Sequence, residues 1–292
     1  MQLVSKRALL FLAFPSSRAI QSSSHSLAFI HTPQNSTFTS LNNRAQPSCP
    51  FKSKSNTAMN MVTMDSPSAQ RNKDPIWQVI QSTILPMLRR EDDESPLRVL
   101  EIAGGCGVHT EHFVTELAKK NIAVDWYPTD PDPASLQSLK ARVDVFQLPN
   151  DVTCGDAIKI STPFSLKLGA DGVLEDSDES SKIVSDVGSE PLNLIICINM
   201  IHISPWDATL GLFKVASEHL KSGGVLMTYG PYKVNGAAVE SNMNFDANLK
   251  SRNADWGVRD LERVQVVAED NGLKIVKVQE MPANNLLCIF QK

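Results

Sequence analysis

The sequence predicts an α/β fold: a doubly wound, mainly parallel sheet of seven strands with helices on both faces and an antiparallel C-terminal strand. Three observations predict it. Short apolar runs, LRVLEI at 97 to 102 and LNLIICI at 192 to 198, alternate with amphipathic stretches of helical period, the pattern of parallel strands joined by crossover helices. The second of these runs is apolar nearly throughout, as befits a strand covered on both faces. Two final apolar runs, 273 to 280 and 285 to 291, are separated by a few residues, a connection short enough only for an antiparallel pair.

Each element has a local reason. Asp74-Pro75 offers an N-cap acceptor followed by proline at the first helical position, so a helix is expected to start there and to kink or end at Pro86. The acidic EDDESP at 91 to 96 leads into strand 97 to 102. Thr110 to Lys119 places Phe113, Leu117 and Ala118 on one helical face, and a short strand follows around Ile122 to Tyr127. Pro133 to Ala141 reads as a helix, Val143 to Leu148 as the third strand and Leu192 to Ile198 as the fourth. Asp207 to Leu220 is amphipathic and closes on Lys221-Ser222-Gly223-Gly224, a C-terminal stop. Val225 to Tyr229 is the fifth strand, 255 to 271 a helix ending at Asn271-Gly272, and Leu273 to Glu280 and Asn285 to Gln291 the last pair. The polar, acidic stretch 155 to 190 reads as an exposed insertion between the third and fourth strands, disordered over about 165 to 190.

The first 64 residues hold no Asp or Glu, six Lys or Arg and twelve Ser. That is the composition of an organellar transit peptide, chloroplast favoured over mitochondrion by its abundant serine, with the folded domain expected over 65 to 292. Of 28 basic residues, 22 then remain against 32 acidic ones, a formal charge of −10. Such a surface repels a phosphate backbone, so general nucleic-acid binding is not expected. No run approaches the ~18 apolar residues of a membrane span. The five cysteines are scattered without CxxC spacing, which suggests reduced thiols and no metal site.

The stretch VLEIAGGCGVH at 99 to 109 falls where a doubly wound sheet binds its ligand, at the carboxyl end of the first strand. Gly105 and Gly107 let main chain pass close to a ligand. A dinucleotide site would want a third glycine where Thr110 stands, and the Glu101 carboxylate would repel a pyrophosphate, which argues against a nicotinamide-dependent oxidoreductase. S-adenosylmethionine fits better, having a sulfonium and an ammonium but no phosphate. Asp130 in WYPTDPD, with Asp132 as a weaker substitute, is placed to accept from its ribose hydroxyls, and Asp151 in LPNDV from its adenine amino group. Past the fourth strand, Asn199 could hold a methyl acceptor and His202 could take its proton, or both could be purely structural. Tyr229 and Tyr232 flank the end of the fifth strand, where they could wall the acceptor or merely pack. Residues 233 to 260 are rich in polar groups, among them Asn242, Asp246, Arg252 and Arg259, and Asn284-Asn285 interrupts the terminal hairpin.

From Arg71 to Lys292 the chain resembles the methyltransferase-like 26 family of class I methyltransferases. The stretches that carry the resemblance run in order through RNKDPI, VLEIAGGCGVH, WYPTDPD, INMIHISPWDAT, GGVLMTYGPY, SNMNFDANLKSRNADWGVRDLE and MPANN. The family usually has Ser, Thr and Gln where this chain has Gly104, Cys106 and Val108. The resemblance implies an S-adenosylmethionine-dependent methyltransferase acting on an unidentified acceptor, small or polar, with 233 to 260 and 281 to 285 closing over the site. A fold retained for binding without turnover is the alternative.

Overall fold

The computed structural model describes residues 64–89, 95–150, 152, 157–173, 187 and 190–292. The expected transit segment, Met64 aside, and Asp151 lie outside the described residues. The strands are β1 (Leu97–Ile102), β2 (Val124–Pro128), β3 (Ile158–Ile160), β4 (Leu168–Gly169), β5 (Gly172–Val173), β6 (Leu192–Ile198), β7 (Leu220–Gly230), β8 (Tyr232–Lys233), β9 (Arg259–Asp260), β10 (Lys274–Met281) and β11 (Asn285–Gln291). Seven of them form one sheet in the order β10-β11-β7-β6-β1-β2-β3. β11 is antiparallel to both of its neighbours, and the other pairings are parallel. The final strand therefore inserts between β10 and β7, leaving β10 at the edge.

Every residue of β1 and β6 is buried, because alternate side chains serve two cores. Leu97 and Val99 pack with Trp77 of α1 (Pro67–Val79) and Phe113 of α3 (Val108–Lys119). Leu100 and Ile102 pack with Phe213 of α5 (Trp206–His219) and Val264 of α7 (Leu261–Asp270). This is the two-sided burial that a continuous apolar run demands.

Four expectations are corrected. The first helix starts at Pro67, with the Ser66 side chain accepting from the Ala69 amide, and Pro75 lies inside it. The same cap-then-proline signature occurs twice, and the earlier one is used because Ala69 and Asn72 are then buried. Pro86 does not end the helical path; a wider π turn (Ile80–Ile84) precedes it and relieves the ring's clash with the preceding turn, and α2 (Leu85–Leu88) continues. The third strand is β3, not Val143 to Leu148: α4 (Pro133–Asp144) runs into that segment, Val145 is exposed, and Phe146 packs on the core from beyond the helix end. Part of the supposed insertion is packed structure. Phe164, Leu166 and Val187 are buried, and the β4-β5 hairpin lies on α5 at Gly211, where a Cβ would come within 2.2 Å of the Gly169 carbonyl oxygen. Residues 174–186 lie outside the described residues.

α6 (Glu240–Arg252) was not expected at all, since 233 to 260 reads as polar loop. Its inward positions are Asn242, Asp246 and Leu249, a stripe at helical spacing that is mostly polar and so invisible to apolar periodicity.

Candidate active site

β1 and β6 are adjacent, yet β1 is next joined through α3 to β2 on one side while β6 continues through α5 to β7 on the other. This is the switch point where open α/β sheets bind ligands. The loop after β1 bends through three left-handed residues, Ala103 at φ 56°, Gly105 at 60° and Gly107 at 81°. A Cβ on Gly107 would meet Leu139 at 2.7 Å, so both conformation and space demand glycine there. A Cβ on Gly105 would meet nothing within 4 Å, which leaves bare main chain facing open space.

Asp130 organises this loop from the end of β2. One carboxylate oxygen accepts from the Gly105 amide and the other from the Asp132 amide, both at 2.8 Å. Two backbone bonds leave further lone pairs on those oxygens for a ligand's hydroxyls. Burial raises the Asp130 carboxyl against the pull of the two amides. Asp132 lines the same hollow, but one of its carboxylate oxygens caps α4 by accepting from the Ser135 amide.

Glu101 does not line the hollow. Its carboxylate is buried beneath Gly104, where a Cβ would sit 3.2 Å from Cδ, and one oxygen accepts from Thr110 Oγ1 at 2.5 Å and Trp126 Nε1 at 2.9 Å. Burial pushes this group up to about 7, with Asp130 adding to the rise and the two donors opposing it. Through that oxygen Glu101 braces β1, α3 and β2. Arg142 is a second brace that sequence reasoning missed. Its Nε donates to the Cys106 carbonyl at 2.8 Å while the same guanidinium pairs with Glu111 at 2.6 Å.

Above the glycine loop lies a hollow of about 390 Å³ walled by Gly104, Gly105, His109, Asp130 and Asn199. Beyond it is a second hollow of about 620 Å³. Ser68, Asn199 and Ile203 line both, so the two share a wall. Both volumes fall in the ~300–1,000 Å³ range of small-molecule sites. Asn199 stands at the junction at φ 59°, a left-handed position that asparagine tolerates better than most residues.

The model of the family described as "Protein of unknown function (DUF938)" matches residues 63–292. The chain belongs to the DUF938 family. Among solved structures, the fold is similar to that of an O-methyltransferase family 2 protein from Planctomyces limnophilus in complex with apigenin, with a TM-score of 0.50 and 15% identity over 77% of this chain and 62% of that one. It is likewise similar to a Nostoc punctiforme protein described as a candidate O-methyltransferase, with a TM-score of 0.50 and 11% identity over 75% of this chain and 56% of that one. The chain spans less than two thirds of the length of either. The fold of this DUF938 domain is therefore the Rossmann-like fold of class I methyltransferases.

Of the residues expected to meet an acceptor, the second hollow of the DUF938 domain brings together Asn199, His202, Tyr229, Asn242 and Asn285. His202 is buried, its ring edge-on to Phe245 at 5.6 Å, and burial together with the nearby Arg259 charge brings it down to about 4. The imidazole is therefore neutral at pH 7. Burial raises the Tyr229 hydroxyl above its ordinary value, with the nearby side chains of Asn72 and Asn285 opposing the rise. Asn242 donates to the Asn284 carbonyl at 2.8 Å, tying α6 to the terminal hairpin.

Five expected contacts fall outside both walls. Tyr232 is buried on the other core, its hydroxyl 2.8 Å from Thr228 Oγ1. Asp246 is committed to Lys233, Lys250 and the Val258 amide, each at 2.8 Å. Arg259 donates to the Ser204 and Asp255 carbonyls and so clamps the loop after β6. Arg252 lies over the Trp256 ring, and Asn284 donates to Ser241. In each case a satisfied local partner accounts for the residue. What the sequence did not signal is the contribution of α1. Ser68, Arg71 and Asn72 line the second hollow, and Asn72 Oδ1 sits 2.8 Å from His109 Nε2. Of these α1 residues, the family resemblance covered only Arg71 and Asn72, in its RNKDPI stretch.

Proposed function

We propose that this chain is an S-adenosylmethionine-dependent methyltransferase acting on a small polar acceptor, and that it corresponds to the methyltransferase-like 26 group. The observation that carries the reading is the pair of hollows meeting at Asn199, one floored by the glycine loop and Asp130, the other walled by His202 and Tyr229. The cradle fits the nucleoside: Gly105 presents main chain without a side chain, and Asp130 keeps acceptor capacity for vicinal hydroxyls. When bound, the cofactor supplies an electrophilic methyl on a positive sulfur. What the chain must add is position, since an acceptor atom held at ~3–3.5 Å and in line has already met most of the entropic cost of reaction. Asn199 on the common wall and the Tyr229 hydroxyl are the groups available to orient the acceptor. His202, neutral at pH 7, can accept a hydrogen bond or a proton, though burial makes it a weak base.

Calorimetry with S-adenosylmethionine and S-adenosylhomocysteine tests the cofactor. Asp130→Ala is expected to weaken both by on the order of 10- to 100-fold, the loss of one or two hydrogen bonds to a charged acceptor. A folded wild-type chain that binds neither compound refutes the reading. Binding without transfer of radioactive methyl to any component of a cell extract would leave a non-catalytic nucleoside-binding protein.

A further inference from the structure

We infer that the molecule taken by the second hollow carries a carboxylate, and that Arg71 receives it; this rests on the methyltransferase reading of the two hollows. Arg71 lines that hollow from α1, one helical turn beyond Ser68, which lies in the wall common to both. Its guanidinium makes no hydrogen bond or ion pair among the described residues. Nor is there any Asp or Glu on the described wall, and Arg71 is the one residue of fixed charge there. On a domain where acids outnumber bases by ten, an arginine on the wall of a hollow that holds no acid leaves its charge for a ligand to meet.

The neighbouring polar groups strengthen the assignment, because they are already engaged. Asn72 meets His109, Asn242 donates to Asn284 and Asn285 donates to the Pro282 carbonyl. His202 is neutral at pH 7. Arg71 is therefore the charged donor still available to a ligand, and a planar guanidinium fork matches a carboxylate with two parallel hydrogen bonds. A phosphate dianion would call for more positive charge than one arginine supplies. Phe245, Ile203 and Tyr229 form the apolar part of the same wall, so the anion is carried on an apolar or aromatic body.

The test uses benzoate and its neutral isostere benzamide as probes, followed by ligand-observed NMR on the full chain, both free and saturated with S-adenosylhomocysteine. Benzoate is expected to bind the wild type more tightly than benzamide. Arg71→Gln should weaken benzoate by about tenfold, the equivalent of ~1.4 kcal/mol, and Arg71→Lys should fall between. Arg71 is exposed, so an unchanged melting temperature is expected for both variants. Equal binding of the two probes, no binding of benzoate, or benzoate binding untouched by Arg71→Gln would each overturn the proposal. So would an Arg71→Gln variant that loses S-adenosylhomocysteine but keeps 5′-methylthioadenosine, which lacks the amino-acid carboxylate, since Arg71 would then serve the nucleoside's own tail. If the wild type binds neither nucleoside, the methyltransferase reading fails, while the benzoate result on the free chain still decides the anion site.

Discussion

Replacing Glu101 by Gln is expected to stabilise the protein at pH 8, although it alters a buried residue at the heart of the glycine loop. Glu101 is raised from 4.5 to about 7 by burial. A carboxyl with a raised folded-state pKa favours folding fully below its unfolded value, and that contribution is lost as pH rises from about 4.5 through about 7. At ~1.4 kcal/mol for each pH unit, the loss is about 3 kcal/mol, to order of magnitude. Glutamine carries no charge to desolvate, and its oxygen can accept from Thr110 and Trp126 as Oε2 does now. Its amide group would then take the place of the oxygen beneath Gly104, and leaving that group without an acceptor would cost ~1 kcal/mol. The variant should be more stable than wild type by about 2 kcal/mol at pH 8, worth ~4–8 °C in Tm, and less stable by ~1 kcal/mol at pH 4.5. Urea unfolding of both proteins from pH 4.5 to 8 measures this. The difference between the two curves is the quantity to read. His109 and His202, lowered to about 3 and about 4, act in the opposite sense in both proteins, their stabilisation being present above about 6.5 and lost as pH falls. A flat difference curve, or a variant weaker than wild type at pH 8, would refute the placement of Glu101 as a buried brace.

Two further outcomes follow from the same loops. Gly107→Ala combines a left-handed φ of 81° with a Cβ 2.7 Å from Leu139; it should cost on the order of 2–3 kcal/mol, and denaturation within 0.5 kcal/mol of wild type would show that α4 does not pack there as described. The ring resonances of His202, neutral down to about 4, should stay unchanged between pH 8 and pH 5 in a proton-carbon NMR titration, whereas a midpoint near 6.5 would mean the ring is open to water.

β1 and β6 were legible residue for residue, and β11 likewise, because burial on both faces demands a continuous apolar run. The glycines at 105 and 107 and the acid at Asp130 were legible too, since a tight strand-to-helix turn and a strand-end carboxylate leave few alternatives. β3 escaped detection. Three residues at a sheet edge carry too little pattern to compete with Val143 to Leu148. α6 escaped for a different reason: its buried face is held by Asp246 with Lys233 and Lys250, and by Asn242 with Asn284, so its burial has no apolar signature.

The chain alone determined the parallel centre of the sheet, its antiparallel final pair and the glycine turn after β1, because these depend on local periodicity and turn chemistry. Which charges face a ligand was decided only by packing. Glu101 and Asp130 look equivalent as acids at strand ends, yet Trp126 and Thr110 close over the first while the second borders the hollow. Asp246, Arg259 and Arg71 look equally available in the sequence, and the fold pairs the first two and leaves the third on the wall of a hollow. A side chain's partners come from elements far away in sequence, and no local pattern records them.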